Sequence, residues 1–160
     1  MNPVPDPEVP TRLSRLPSWL LTQAAQHAHR LVADGLASVD ARGYHYRVLA
    51  TLDEFGPSSQ ATLGRRSGIH LSDIVATVTE LAARDLVARD PDPADRRRNI
   101  ITLTAAGRRQ LRRLDRQVAA VQDELLAPLS ATDREHLVRL LTRVLGHHAG
   151  RAPAGDPPQH

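Results

Sequence analysis

A chain of 160 residues suffices for one domain with a real core, or a small domain with helical extensions, and its 2% aromatic content leaves that core to Leu, Val, Ile and Ala. The net charge of +3 announces no polyanionic partner by itself, but from Asp90 to Arg116 eight arginines face four aspartates, a local excess of +4. Zero cysteine excludes disulfides, thiolate metal sites and a thiol redox sensor; with no stretch near ~18 continuous apolar residues and no signal-peptide core, a soluble cytoplasmic protein without membrane contact is expected.

In chain order, "MNPVPDPEVP" is too rich in proline for a helix, and residues 1–16 are expected as an arm. Pro17 suits a helix's first turn and opens a segment with Leu20, Leu21, Ala24, Ala28, Leu31 and Val32 on one side. After Gly35 a second helix carries Tyr44, Val48, Leu49 and Leu52 and ends at "EFGP". Ser58 or Ser59 then caps a short helix, "SQATLGRR", that stops at Gly68, and another follows from about Leu71 to Arg84. Two short helices joined through "SGIH" are the signature of a helix-turn-helix. "LVARD" and "NIITLT" are β-like and flank a proline-bearing loop, which predicts a hairpin leaning on the helices.

Thr104 caps a long helix with Leu111, Leu114, Val118, Val121 and Leu125 at alternating three- and four-residue spacing, the seam of a helix packed lengthwise on others. "SATD" from Ser130 reads as a capping box for a last helix bearing Leu137, Leu140, Leu141, Val144 and Leu145. The residues from Gly150 are again rich in proline and glycine. The fold class is therefore mainly α with a small β-hairpin.

From Tyr44 to Leu114 the chain resembles the MarR family of transcriptional regulators. The most specific element is "LVARDPDPADRRRNIITLTAAGRRQL", similar to that family's wing pattern of D-x-R-R, strand, L-T-x-x-G-R. The resemblance implies a winged-helix homodimer that binds double-stranded DNA at a pseudo-palindromic operator, as a regulator expected to repress. On that basis 1–16 is the arm, 17–40 a dimerisation segment, 41–104 the winged helix-turn-helix, 105–149 dimerisation helices and 150–160 a flexible tail. Where the family usually has glycine before the first wing strand, this chain has Asp85, which can adopt a left-handed turn at some cost.

At 100° per residue, Ile74, Val78 and Leu81 face the core, while Ser72, Ala76 and Thr79, flanked by Asp73, Val75 and Glu80, face outward. That face lacks the Arg, Asn or Gln that make paired bonds to bases; Val75, Ala76 and the Thr79 methyl suit thymine methyls, and the hydroxyls read weakly. Asp73 would repel phosphate unless paired with an arginine or a cytosine amine. The plainer alternative is a solvated face of small residues. His70 completes the expected set in the turn. Ser59 and Gln60 are candidate phosphate contacts through free N–H groups at a helix start, or simply caps. Arg96, Arg97 and Arg98 sit at the hairpin tip, where phosphate or minor-groove binding outweighs the alternative of a solvated loop. Arg97 best matches the family's wing-tip arginine, with Asp95 expected to hold it by an ion pair. Arg108 and Arg109 are the nearest candidates on the long helix.

All 21 basic residues are Arg, which fits coding bias yet makes every cation a planar fork suited to phosphate and guanine. The eight histidines do not pattern as ligands, and no phosphate loop, G-x-S-x-G or H-E-x-x-H occurs, so no enzyme, cofactor or metal is expected. A winged-helix module that binds protein without specific DNA binding is the competing class. For a small-molecule effector, the resemblance places a pocket between the first two helices and the long helix, with Trp19, His27, Tyr44, His45, Tyr46 and Arg47 as candidates against the commoner reading of core or dimer packing.

Overall fold

The computed structural model describes residues 10–149; most of the expected arm and the expected tail over 150–160 lie outside them. The arm's end departs from expectation, since α1 (Thr11–Ser14) forms a helical turn directly after Pro10. Pro17 then opens α2 (Pro17–Ala37), whose Leu20 and Leu21 remain exposed while Leu36 is buried. Helix α3 (Gly43–Phe55) stops at Gly56, and β1 (Ser58–Ser59) leads into α4 (Gln60–Ser67). Gly68 ends α4 in the left-handed region at φ 65°, open without strain to a residue lacking Cβ, and α5 (Leu71–Ala83) follows.

The wing strands are β2 (Val87–Pro91) and β3 (Asn99–Leu103), paired antiparallel with Val87 opposite Leu103 and Arg89 opposite Ile101. The expected two-stranded hairpin is in fact a three-stranded sheet of order β1-β3-β2, because Ser58 and Ser59 pair with Ile101 and Ile100. The third strand satisfies the second edge of β3, which a bare hairpin would leave open.

Asp85 enters β2 at φ 55°, the left-handed region where a glycine would pay no steric cost. Thr104 joins this turn to the long helix α6 (Ala105–Leu125): its hydroxyl donates to Asp85 O at 2.7 Å and accepts from Gly107 N at 2.9 Å. Buried side chains of α3 (Val48, Leu49, Leu52), α4 (Leu63), α5 (Ile74, Val78, Leu81), β3 (Ile101, Leu103) and α6 (Leu111, Leu114) form one core. Each large side chain so buried contributes ~1.5–3 kcal/mol, which is what fixes α5 by its apolar stripe and leaves its other face free. On α6, Gly35 of α2 comes against Val121, where any side chain would collide.

The chain divides into two compact units after Leu125. The second contains α7 (Ala131–Ala149), capped as expected by Ser130, whose hydroxyl accepts from Asp133 N at 3.2 Å. Within it Val138, Leu140, Val144 and Leu145 are exposed. No described helix is long and apolar enough to cross a membrane.

Candidate nucleic-acid interface

Burial on α5 follows the expected period. Ile74, Thr77, Val78 and Leu81 are buried, and Ser72, Val75, Ala76 and Thr79 form an exposed stripe with Asp73 half-buried beside it. The Asp73 carboxylate has no partner among the described residues, so of the two groups that would offset its repulsion of phosphate, an arginine or a cytosine amine, these residues do not supply the arginine. Thr79 is not a free hydroxyl, for it donates to Val75 O at 2.7 Å and accepts from Arg89 Nη2 at 2.6 Å. Arg89 escaped the sequence reading because its placement depends on strand register, which spacing along one segment does not report.

The wing bend is built by aspartates. Asp92 Oδ1 accepts from Ala94 N at 2.9 Å, and Asp95 Oδ1 accepts from Arg97 N at 3.1 Å. The expected ion pair of Asp95 goes to a different arginine: Oδ2 lies 3.3 Å from Arg98 Nε, because the turn directs the Arg98 side chain back over Asp95. The guanidinium groups of Arg96 and Arg97 have no partner among the described residues. Two unpaired like charges at one bend are a standing repulsion that an approaching polyanion relieves.

Ser59, Gln60, Leu71, Arg97, Arg98 and Asn99 line one open cleft of 480 Å³, together with Ala61. Ser59 is the cap, its Oγ accepting from Thr62 N at 3.2 Å, so backbone donors of the first turn of α4 and two wing arginines border the same space. His70 precedes α5 without a capping bond and lines a neighbouring cleft of 460 Å³ with Arg65 and Gly68. Arg108 is withdrawn from such a role by an ion pair with Asp53 at 2.7 Å, whereas Arg109 has no partner among the described residues.

The effector candidates do not converge on one pocket; only Tyr44 and Arg47 meet, in a stacked contact at the surface. His45 is buried and Trp19 half-buried, whereas His27, Tyr44 and Arg47 are exposed, with Arg47 bonded to Gly68 O at 3.4 Å. On α3, Tyr44 and Arg47 are one turn apart on the same exposed face, with the Arg47 guanidinium 5.9 Å from the centre of the Tyr44 ring, while His45 alone turns inward. It faces α5 rather than α6, in an open cleft of 610 Å³ lined by Ala37, Asp40, Ala41, Arg42, Glu80 and Arg84. Its Nδ1 accepts from Arg42 N at 3.2 Å and its Nε2–H donates to Glu80 Oε2 at 2.9 Å. That hydrogen bond, with the charges of Arg42 and Arg84, holds the Glu80 carboxyl below the usual carboxylate range against some desolvation. Tyr46 donates to Asp115 Oδ1 at 3.1 Å, and partial burial with this carboxylate raises its phenol above the ordinary value.

A helix-turn-helix with an outward stripe, followed by an arginine-tipped wing, defines the class of winged-helix DNA-binding regulators. The sequence model of the MarR family matches residues 39–98. The PcaV transcriptional regulator of Streptomyces coelicolor, solved with its natural ligand, is 32% identical with a TM-score of 0.72, over 86% of this chain and 97% of that one. The transcriptional repressor CouR, solved on a 23-mer DNA duplex, is 29% identical with a TM-score of 0.76, over 84% and 95% of the two chains. The HTH-type transcriptional repressor NicR of Pseudomonas putida is 29% identical over 126 residues, 79% of this chain and 80% of that protein. The chain belongs to the MarR family of transcriptional regulators.

Proposed function

We propose that this regulator is a cytoplasmic homodimeric repressor of a pseudo-palindromic operator, with α5 in the major groove and the wing at the minor groove. The observation that carries the assignment is the cleft where Ser59 and Gln60 meet Arg97 and Arg98, beside the exposed stripe of α5. Its function is binding rather than catalysis. The same region favours DNA over a protein partner, since the unpaired guanidinium groups of Arg96 and Arg97 and the helix-start N–H groups of α4 suit phosphate. A gel shift with a duplex selected from a random pool tests this. Affinity should fall steeply between about 50 and 200 mM salt and be poor for the single strands. Failure to enrich any duplex would leave the protein-binding module as the function.

An organic anion is the effector class that the His45 cleft supports. Arg42 lies 3.3 Å from Glu80 Oε1, so an entering carboxylate would compete for that arginine and loosen Glu80, which belongs to α5. PcaV, solved with its natural ligand bound, is a precedent for ligand binding by a related regulator. Titration with aromatic carboxylates, read as release of bound duplex, tests it; release unchanged by Arg42→Ala would remove this cleft from consideration.

A further inference from the structure

The outward stripe of α5 holds Ser72, Val75, Ala76 and Thr79, none of which can make two parallel bonds to a base edge. Alone it would recognise thymine methyls and little else. The register of β2 supplies another group. Arg89 pairs with Ile101 and Val87 with Leu103, so Arg89 lies on the same sheet face as three side chains that are 3% or less exposed for Val87 and Ile101 and 6% for Leu103. That face is turned toward the helices. At its margin the core runs out, and the Arg89 side chain emerges exposed against α5.

There Arg89 Nη2 donates to Thr79 Oγ1 at 2.6 Å, and the Thr79 hydroxyl spends its own proton on Val75 O at 2.7 Å. Thr79 therefore has no proton left for a base. It acts as a post that orients a guanidinium whose other N–H donors have no partner among the described residues. A phosphate contact needs only charge on a flexible stem, which Arg96 and Arg97 already provide. A fork anchored at one nitrogen on the groove-facing stripe is instead oriented, which is what recognition of a base edge requires.

We infer that Arg89 is the base-reading residue of this regulator, directing its remaining donors to O6 and N7 of guanine in the major groove, and that Thr79 is its positioning residue. The inference deepens the proposed function and rests on it.

Selection from random duplexes by the full chain, its Arg89→Lys, Arg89→Ala and Thr79→Val variants, with affinities at two salt concentrations, tests this. The parent should enrich guanine at one fixed position of each half-site. Arg89→Lys, which keeps the charge, should lose about tenfold or more of that preference while retaining its salt dependence. Thr79→Val, nearly isosteric, should blur the same position and no other. Two outcomes overturn the inference: identical selected sequences for parent and Arg89→Lys, or an Arg89→Ala loss that is equal for all duplexes with a shallower salt slope. A parent that enriches no duplex refutes the DNA-binding function itself, and this inference with it. Matching thermal melts of the four chains ensure that folding is not what changes.

Discussion

The carbonyl oxygen of Leu86 occupies the place where a side chain on Gly107 would begin, and Leu103 Cδ1 lies 2.6 Å from the same point. The first turn of α6 therefore rests directly on the backbone at the base of the wing. Gly107→Ala must push the two apart, at ~1–3 kcal/mol or more. Urea denaturation measures it, and a parental midpoint would mean that the joint is slack.

Asp85 carries the opposite liability, a Cβ in the left-handed region at φ 55°. Asp85→Gly should stabilise the fold by up to ~1 kcal/mol after the added chain entropy of glycine is subtracted. Asp85→Ala, which has neither the permissive backbone nor a side-chain acceptor, should lower the melting temperature. Equal melting of all three chains would contradict the argument.

Arg97 has an unengaged guanidinium and Arg108 one committed to Asp53. Arg97→Ala should weaken binding to every duplex and reduce the salt slope by ~1, whereas Arg108→Ala should leave the slope in place. Asp95→Ala should act indirectly, by freeing the bend that positions Arg97 and Arg98. The comparison is a binding isotherm at several salt concentrations; reversal of the two slopes rules out the assignment.

Glu80 ties α5 to His45 and Arg42, and its carboxyl is lowered in the folded chain. Its stabilising contribution is present above the unfolded carboxylate value and is lost as pH falls through the folded one. The melting-temperature gap between the parent and Glu80→Gln should thus be full at about pH 7 and close toward about pH 3. A gap that widens in acid has the wrong sign for this cause.

On α7, Val138, Leu140, Val144 and Leu145 are 60, 52, 47 and 70% exposed, an apolar load that a monomer would leave in water. Sedimentation at micromolar concentration is expected to report a dimer. Leu140→Glu or Val144→Asp should shift it toward monomer and weaken operator binding together. A monomeric parent would end the homodimer proposal.

How much was legible follows from how local each signal is. The stripe of α5 and the caps Ser59, Thr104 and Ser130 are set by residues within a few positions, and spacing exposes them, whereas the left-handed Asp85 stands out only through the family resemblance. Strand β1 is two serines with no period to read, and it forms because β3 offers it an edge. Arg98 rather than Arg97 pairs with Asp95 because turn geometry, not adjacency, decides direction. Arg89 and the His45–Glu80 bond join residues 10 and 35 positions apart, so only the packed chain brings them together. Chemistry alone groups Tyr44, His45 and Arg47, and helix rotation divides them, burying His45 and leaving Tyr44 and Arg47 together on the exposed face.

Thr104 bonds both the turn at Asp85 and the first turn of α6, so one hydroxyl sets the angle at which the long helix leaves the wing. Helix α6 has 21 residues, about 30 Å at helical rise. Mechanically it is a lever pinned at the wing, with its far half seated against α2 where Val121 meets Gly35. A rotation of about 5° at the pin sweeps the far end by about 3 Å over such a length. Read the other way, a displacement of that size near Leu125 arrives at the wing as a slight rotation, demagnified in distance but multiplied in force. The short arm of the lever carries the arginine bend.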